Sequence, residues 1–513
     1  MYYLFFNSLP FIFLFLPAVV ISYFLLGKWM GGGKHIQILL TAASLFFYFL
    51  LTPEYLPLLL ASITFNFTIG YLLIRSKQKP EQKGLMPYIL WIGIIGDLGL
   101  LGYYKYFNFM IANLDQLFGF SFNVQQIILP LGISFFTFTQ IAFIVDTYRG
   151  NVERVNPLSY IQFVTFFPHL IAGPIYHHSN IIPQMEDESK CKPDWTNLNL
   201  GVFFFFFGLA KKVLIADTLG SVATPIFAAV ANGGSPMLFE AWMGALAYTL
   251  QIYFDFSGYC DMAIGIALLF NIRFPLNFYS PYKVTSVIDF WNCWHITLSH
   301  FLRDYLYIPL GGNRQGLPAE IRNLLITMLL GGLWHGAGWT FIIWGGLHGI
   351  FLVTNHLWRK TKIVLHNYIG WVITFFALII TWVFFRADSV ESALNILKGM
   401  AGSNGISVPV SMPDFGFFIH SGITPLSHAS LVGCVMIIIA LGIALLLPNL
   451  YEMTQKYQTA LIGKKQYRVK LIQPIRFPLS YTISVRWCVI VGIIAVIGIV
   501  SVQSTSEFLY FQF

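Results

Sequence analysis

Apolar stretches close to the length of a bilayer crossing recur along almost the whole chain, and this recurrence constrains the fold more than any single motif. They run approximately over residues 8–26, 36–51, 55–74, 86–106, 127–145, 198–216, 241–269, 322–334, 339–357, 367–385, 429–447 and 487–503. A transmembrane helix needs about 20 mostly apolar residues, so most of these read as spans and lipid is the solvent for most of the chain. Composition agrees, with 57% of residues hydrophobic and 10% charged, too few charges to cover a water-soluble domain. In lipid every backbone polar group must be satisfied internally, which makes an all-α polytopic membrane protein the expected architecture. No linker marks a second soluble domain and no internal repeat is apparent, so residues 1–513 read as a single integral membrane domain. The stretch 158–175 is apolar but broken by Pro168, Gly173 and Pro174, which suits a re-entrant segment buried in protein.

Basic loops orient the spans. Lys28 and Lys34 lie between the first two, and Arg75, Lys77, Lys79 and Lys83 between the third and fourth. The positive-inside rule puts both loops in the cytoplasm and the N-terminus outside. Counting onward places Arg359, Lys360, Lys362 and the basic stretch 449–486 inside, and the loop 387–428 and the C-terminus outside. Lys211 and Lys212 do not fit: they fall at an outer end, where they must snorkel or the count is locally wrong. The net charge of +8 therefore has a topological cause, and nucleic acid is not an expected partner. Cys191, Cys260, Cys293, Cys434 and Cys488 are scattered singly, which argues against a disulfide framework or a thiolate metal site. The stretch from Phe5 to Leu26 has no basic region ahead of it and no small-residue cleavage site after it, so a retained first span is expected.

Polar residues inside a membrane domain are costly, so their clustering marks candidate chemistry. From Asp289 the chain reads DFWNCWHITLSHFLRDYLYIPLGGNRQG, and from Asn323 it reads NLLITMLLGGLWHGAGWTFIIWGGLHG. In the first block His295, Ser299 and Arg303 recur at a spacing of four, which on a helix puts imidazole, hydroxyl and guanidinium on one face, with Asp304 adjacent. Such a face suits an anionic or polar ligand; equally, it can tie an interfacial helix to neighbouring backbone and lipid phosphate. The Gly311-Gly312-Asn313-Arg314 turn is able to approach a phosphate closely. In the second block His335 stands between Trp334 and Gly336 with no acid nearby in sequence. A neutral imidazole there can take a proton from an alcohol, as acyl transfer to a hydroxyl requires; the other reading is a core histidine bonded to a carbonyl. The histidines at 295, 300, 335 and 348 have no metal-ligand spacing and no accompanying carboxylate, so no metal is expected.

These two blocks resemble the membrane-bound O-acyltransferase family, and specifically its bacterial branch of alginate O-acetyltransferases, peptidoglycan O-acetyltransferases and the D-alanyl transferase of teichoic acids. The resemblance rests on WHITLSHFLRDYLYIPLGGNR at 294–314 and LLGGLWHGAGWTFIIWGGLHG at 329–349. It is supported by YFDFSGYCDMAIG at 253–265, FFPHLIAGPI at 166–175 and LFFNSLPFIFLFLP at 4–17, and covers nearly the whole chain. It implies a ring of roughly 11–12 transmembrane helices, with re-entrant and interfacial helices around a central tunnel and a cytoplasmic funnel for the donor. The motif core is then about 250–360, with a C-terminal tail at 504–513. By this resemblance the catalytic histidine is His335 of the LWHG motif, and the second family histidine is His295 of the WHxSLS motif, with Thr297 where that motif varies. Ser299, Arg303, Asp304, Asn313 and Trp334 lie within matching motifs and become candidate substrate-binding residues. The ending from Phe508 to Phe513 is similar to the FxYxxF ending of this branch, in which the tyrosine, here Tyr510, is proposed to carry the acyl group. On its residues alone the same ending reads equally as an interfacial aromatic anchor.

The resemblance further implies a bacterial inner-membrane enzyme, with both termini periplasmic by the charge count. It would take an acyl group, acetyl by first choice, from a cytosolic thioester such as acetyl-CoA. The group would pass across the membrane for O-acetylation of an extracytoplasmic polysaccharide such as alginate. Peptidoglycan or another glycan, or D-alanyl transfer, are alternatives using the same mechanism. No bound cofactor is expected. The expected partners are membrane lipid and a periplasmic SGNH-hydrolase-like acetyltransferase with a Ser-His-Asp site, which would present the polysaccharide acceptor. The rival class is a transporter or channel whose polar residues line a solute path; transporters often show repeated halves with broken helices, a pattern not visible here.

Overall fold

The computed structural model describes residues 4–119, 127–406, 428–461, 469–472, 479–502 and 508–509, the side chains of 428–431 excepted. Apart from two isolated bridges, Pro275 with Leu461 and Val284 with Leu471, these residues form helices, turns and loops. The long helices are α1 (Phe11–Met30), α2 (Lys34–Leu51), α3 (Pro53–Gln78), α4 (Pro80–Phe118), α5 (Ile133–Arg149), α6 (Trp195–Ala231), α7 (Leu238–Leu269), α8 (Leu317–His335), α9 (Trp339–Lys360) and α10 (Asn367–Arg386). Among the described residues seven of these, α1 to α4, α6, α7 and α10, are long and apolar enough to cross a membrane. α8 and α9 carry more of the polar motif residues, α5 has 17 residues, and Val432–Leu446 and Val485–Val500 are further apolar helices among the described residues. The chain is thus a multi-pass membrane protein.

α7 is the pillar of the fold. At 32 residues it is about 48 Å long and nearly all of it is buried, whereas most of α4 is not. Lipid supplies no hydrophobic drive to bring two apolar helices together, so close backbone packing does that work. On α6, Gly201 and Gly208 face Gly265 and Gly258 of α7. A Cβ on Gly201 would stand 2.8 Å from the Gly265 carbonyl oxygen, and one on Gly258 would stand 2.8 Å from that of Gly208. The α8–α9 crossing follows the same rule: a Cβ on Gly332 would overlap the Phe341 carbonyl, and one on Gly345 the Met328 carbonyl.

Among the described residues four turns are wound more widely than an α-helix: Phe11–Phe15, Gly102–Tyr106, Lys211–Ala216 and Arg303–Tyr307. Such π turns are frequent at functional sites. Three of the four carry charged side chains, namely Lys105, the Lys211–Lys212 pair, and Arg303 with Asp304. The second of these resolves the misfit in the charge count. Lys211 and Lys212 do not snorkel: Lys211 pairs with Asp261 at 2.6 Å, and Lys212 bridges Asp255 at 2.6 Å and Asp217 at 2.8 Å. Ionised groups in lipid need partners, and α7 supplies two of them.

The 158–175 region is buried as expected. A helix Pro157–Thr165 breaks at Phe166 and resumes over Phe167–Leu170, and residues 162–176 are all buried. Phe508 and Leu509 are buried too. The Leu509 N–H donates to Asp255 Oδ2 at 3.0 Å, and the Phe508 ring packs edge-on to Tyr259 at 4.4 Å. This part of the ending is held inside the protein rather than lying at an interface. Tyr510 itself lies outside the described residues.

Candidate active site

Helix α8 ends at His335, and Gly336 leaves it in an extended conformation with φ −159°. The His335 side chain is 5% exposed and caged by the rings of Trp334, Trp344 and Phe385, with centroids at 4.8, 5.0 and 5.2 Å. Gly336 has no room for a side chain, because a Cβ would overlap the Phe341 ring. An extended exit brings no backbone N–H back to the last carbonyls of the helix, which in lipid must be satisfied otherwise. Side chains from α4 do so. The Tyr106 hydroxyl donates to the Leu333 carbonyl at 2.9 Å, and Lys105 Nζ donates to the carbonyls of Trp334 at 2.6 Å and His335 at 3.0 Å. Lys105, Ser134, Trp334 and His335 line a cavity of about 50 Å³, room for a few water-sized atoms.

A second cavity, of about 450 Å³, lies at the other end of α8. Ser299, Arg303, Asn313 and Arg314 line it together with Glu320, Leu324, Thr327 and Met328 of α8. Arg303 is held in a two-point pair with Asp304, Nε to Oδ1 at 2.7 Å and Nη2 to Oδ2 at 2.8 Å. Asp304 thus orients the guanidinium from behind. Gly311 and Gly312 take φ of 107° and 57°, the left-handed region that favours glycine, and Asn323 Nδ2 fixes their turn by donating to the Gly312 carbonyl at 2.9 Å. With Arg303, Arg314, His300 and His356 against Glu320, the lining suits a polyanionic ligand.

His295 departs from the expected common face. It precedes the short helix Ile296–Leu302 and adopts a left-handed backbone with φ 41°, so its ring does not follow the helical spacing to Ser299 and Arg303. The ring is fully buried, with Nδ1 3.2 Å from Asn277 Oδ1 and its plane perpendicular to the Phe256 ring at 4.8 Å. Asn277 Oδ1 also accepts the Thr297 hydroxyl at 3.0 Å and backbone N–H at 3.2 Å, which locks the bend. What the two motif histidines share is Trp334, whose ring centre is 6.2 Å from His295 and 4.8 Å from His335. Trp334 in turn stacks on Phe138 at 5.1 Å, and Phe138 on Phe301 at 4.3 Å.

The residues named from sequence therefore divide among three places. Ser299, Arg303 and Asn313 line the large cavity with Asp304 behind, Trp334 and His335 adjoin the small one, and His295 sits buried between supporting residues. Motif reasoning assigns no role to Lys105, Asn277 or His348. Lys105 had a sequence signal, since it is an ionisable residue inside the apolar stretch 86–106. His348 is fully buried against Trp344 at 4.7 Å and Trp291 at 5.2 Å, and shares the Trp344 ring with His335. Asn277 lies in an unremarkable loop and carries no such signal.

Residues 45–392, which include both cavities and both motif histidines, match the membrane-bound O-acyltransferase family, MBOAT. A peptidoglycan O-acetyltransferase of Helicobacter pylori is 46% identical over 434 residues, covering 79% of this chain and 81% of its own. A protein of Pseudomonas putida named "Probable alginate O-acetylase AlgI" is 38% identical over 517 residues, 99% of this chain and 100% of its own. The protein of the same name from Pseudomonas aeruginosa is 41% identical over 403 residues, covering 77% and 74%. With a family match across most of its length and relatives of this similarity, the chain belongs to the membrane-bound O-acyltransferase family and is a multi-pass O-acyltransferase.

Proposed function

We propose that this enzyme takes an acetyl group from a cytosolic thioester, acetyl-CoA, and passes it across a bacterial inner membrane for O-acetylation of an extracytoplasmic polysaccharide. The observation that carries the reading is the course of α8: its first half lines the large basic cavity and its last residue is His335, beside the small one. Nineteen residues of helix span about 28 Å, close to the thickness of a hydrocarbon core. A donor bound at the basic end and an acceptor at the other are thereby joined by one rigid element. The positive-inside count puts the basic end in the cytoplasm and both chain termini in the periplasm. The names of the relatives support acetyl as the acyl group and a glycan as the destination.

In this reading His335 is the general base. Its imidazole takes the proton of the acceptor hydroxyl as that oxygen bonds to the thioester carbonyl carbon; the carbon–sulfur bond then breaks and the proton passes to the departing thiolate. His295 steadies Trp334, and Ser299, Arg303 and Asn313 hold the phosphates of the donor. Tyr510 is the first acceptor on the outer side, and a periplasmic SGNH-hydrolase-like partner with a Ser-His-Asp site completes transfer to the glycan. Mass analysis of the envelope polysaccharides from cells with and without the gene tests the whole reading: one glycan should lose its O-acetyl groups in the deletion strain. Unchanged acetylation of every glycan would sink it.

Two narrower expectations follow from the same arrangement. Arg303→Gln removes the guanidinium but keeps a polar side chain, so the donor KM should rise about tenfold with kcat within about threefold, the mark of lost uniform binding. An unchanged KM would take Arg303 out of the donor site. Tyr510→Phe keeps the aromatic ring and deletes only the hydroxyl. It should abolish glycan acetylation while Phe508 and Leu509 keep their buried seat; full acetylation would show that Tyr510 carries nothing.

A further inference from the structure

The end of α8 is capped in an unusual way. A helix that needs only to satisfy its last carbonyls can do so with its own following turn or with a neutral donor, as Tyr106 does at Leu333. At Trp334 and His335 the donor is instead a lysine, whose charge is expensive to bring into a membrane domain. Lys105 reaches this place from the π turn Gly102–Tyr106, a winding that presents Lys105 and Tyr106 together to the end of one helix. Its ammonium has Ser134 Oγ at 3.4 Å as a third neighbour and lies 5.9 Å from the centre of the Trp334 ring. It also lines the small cavity with Trp334 and His335.

We propose that Lys105 is a positioning residue for acyl transfer at His335. By holding the carbonyls of both Trp334 and His335 it fixes the last peptide of α8, and with it the directions in which the imidazole and the indole leave the helix. A cation also suits this spot electrostatically, because the carbonyl ends of a helix carry partial negative charge. The same charge faces the cavity where, on the function proposed above, negative charge develops on the carbonyl oxygen under attack. The inference rests on that reading of His335 and adds to it the group that aims the base. A misplacement of about 1 Å at a reacting centre is enough to cost on the order of 100-fold in rate.

Three variants of the full-length protein in native membranes test this, assayed with labelled acetyl-CoA for kcat and donor KM separately. Lys105→Met preserves length and loses the charge and all donors; Lys105→Gln restores neutral donors; Lys105→Arg restores the charge. Lys105→Met should lower kcat about 100-fold with donor KM within about threefold, at an unchanged level of protein and a thermal midpoint in detergent close to that of the parent. Lys105→Arg should recover at least about tenfold of that loss, and Lys105→Gln less. Tyr106→Phe, which removes a cap one residue further from His335, should leave kcat within about threefold and serves as the measure of a purely structural cap. The proposal is overturned if Lys105→Met retains parental kcat, if its loss matches the loss of folded protein, or if Gln restores activity as well as Arg. Should the Met variant fail to accumulate, the Gln and Arg comparison decides by itself. His335→Ala, run in parallel, separates the two ideas: an inactive His335 variant beside a fully active Lys105→Met refutes the role of Lys105 alone, whereas an active His335 variant refutes the reading on which it rests.

Discussion

His335→Ala should reduce acyl transfer about 1,000-fold or more while the protein still accumulates in the membrane. General base catalysis contributes about 10²–10⁴ in rate, and about 10³ corresponds to roughly 4 kcal/mol of transition-state stabilisation. Loss of the ring leaves a cavity among Trp334, Trp344 and Phe385, but the contacts that assemble this part of the fold lie elsewhere. The crossing of α8 and α9 rests on Gly332 and Gly345, and the end of α8 is held by Lys105 and Tyr106 through backbone carbonyls, none of which the substitution touches. His335→Gln, which keeps polarity and much of the volume among Trp334, Trp344 and Phe385, should be as inactive as Ala. The rate is measured by transfer of labelled acetyl in isolated membranes, with protein level followed by immunoblot. Undiminished transfer by both variants would remove His335 from the mechanism and favour a passive path lined by polar residues.

Gly258→Leu should have the opposite signature: the protein is expected not to accumulate. A Cβ at this position would lie 2.8 Å from the Gly208 carbonyl oxygen and 3.2 Å from both the backbone nitrogen of Lys212 and the Cβ of Lys211, so the added side chain must force α6 away from α7. Overpacking alone costs about 1–3 kcal/mol. Here the displaced segment is the π turn that places Lys212 on Asp255 and Lys211 on Asp261, and parting a buried ion pair costs about 3–5 kcal/mol more. Domains are typically stable by only about 5–15 kcal/mol, so little folded protein should remain. Gly492→Leu is the control. Nothing lies within 4 Å of its added Cβ, and this substitution should leave membrane levels unchanged. Normal accumulation of the Gly258 variant would mean that the α6–α7 contact is not what holds the fold.

The two classes of effect mirror what could and could not be read from the chain. Helical membrane architecture was legible because its cause, the length and apolarity of each span, is local. The two blocks around His295 and His335 were legible because polar residues in lipid stand out by cost. Pairings between distant segments were not. Lys211 and Lys212 looked misplaced because their acids, Asp255 and Asp261, are on a different helix, and the facing glycines of α6 and α7 lie some 50–64 positions apart in the chain. His295 shows a different limit. Its spacing to Ser299 and Arg303 is helical on paper, but a left-handed residue at the helix start, fixed by Asn277, turns the ring elsewhere. Lys105 was visible as a charge in a span, yet its importance lies in the two carbonyls it gathers at the end of α8.

The π turns set a constraint on chain length rather than on residue type. Each holds one residue more than regular winding would, and each residue of an α-helix advances the side chains by about 100° around the axis. Deleting a single residue from Gly102–Tyr106 would leave α4 continuous and equally apolar, yet it would swing one side of the helix past the other by that angle. Lys105 and Tyr106 would then point away from α8. In these four short turns the number of residues is therefore set by the site, and a hydropathy profile, which would hardly register the deletion, carries no trace of it.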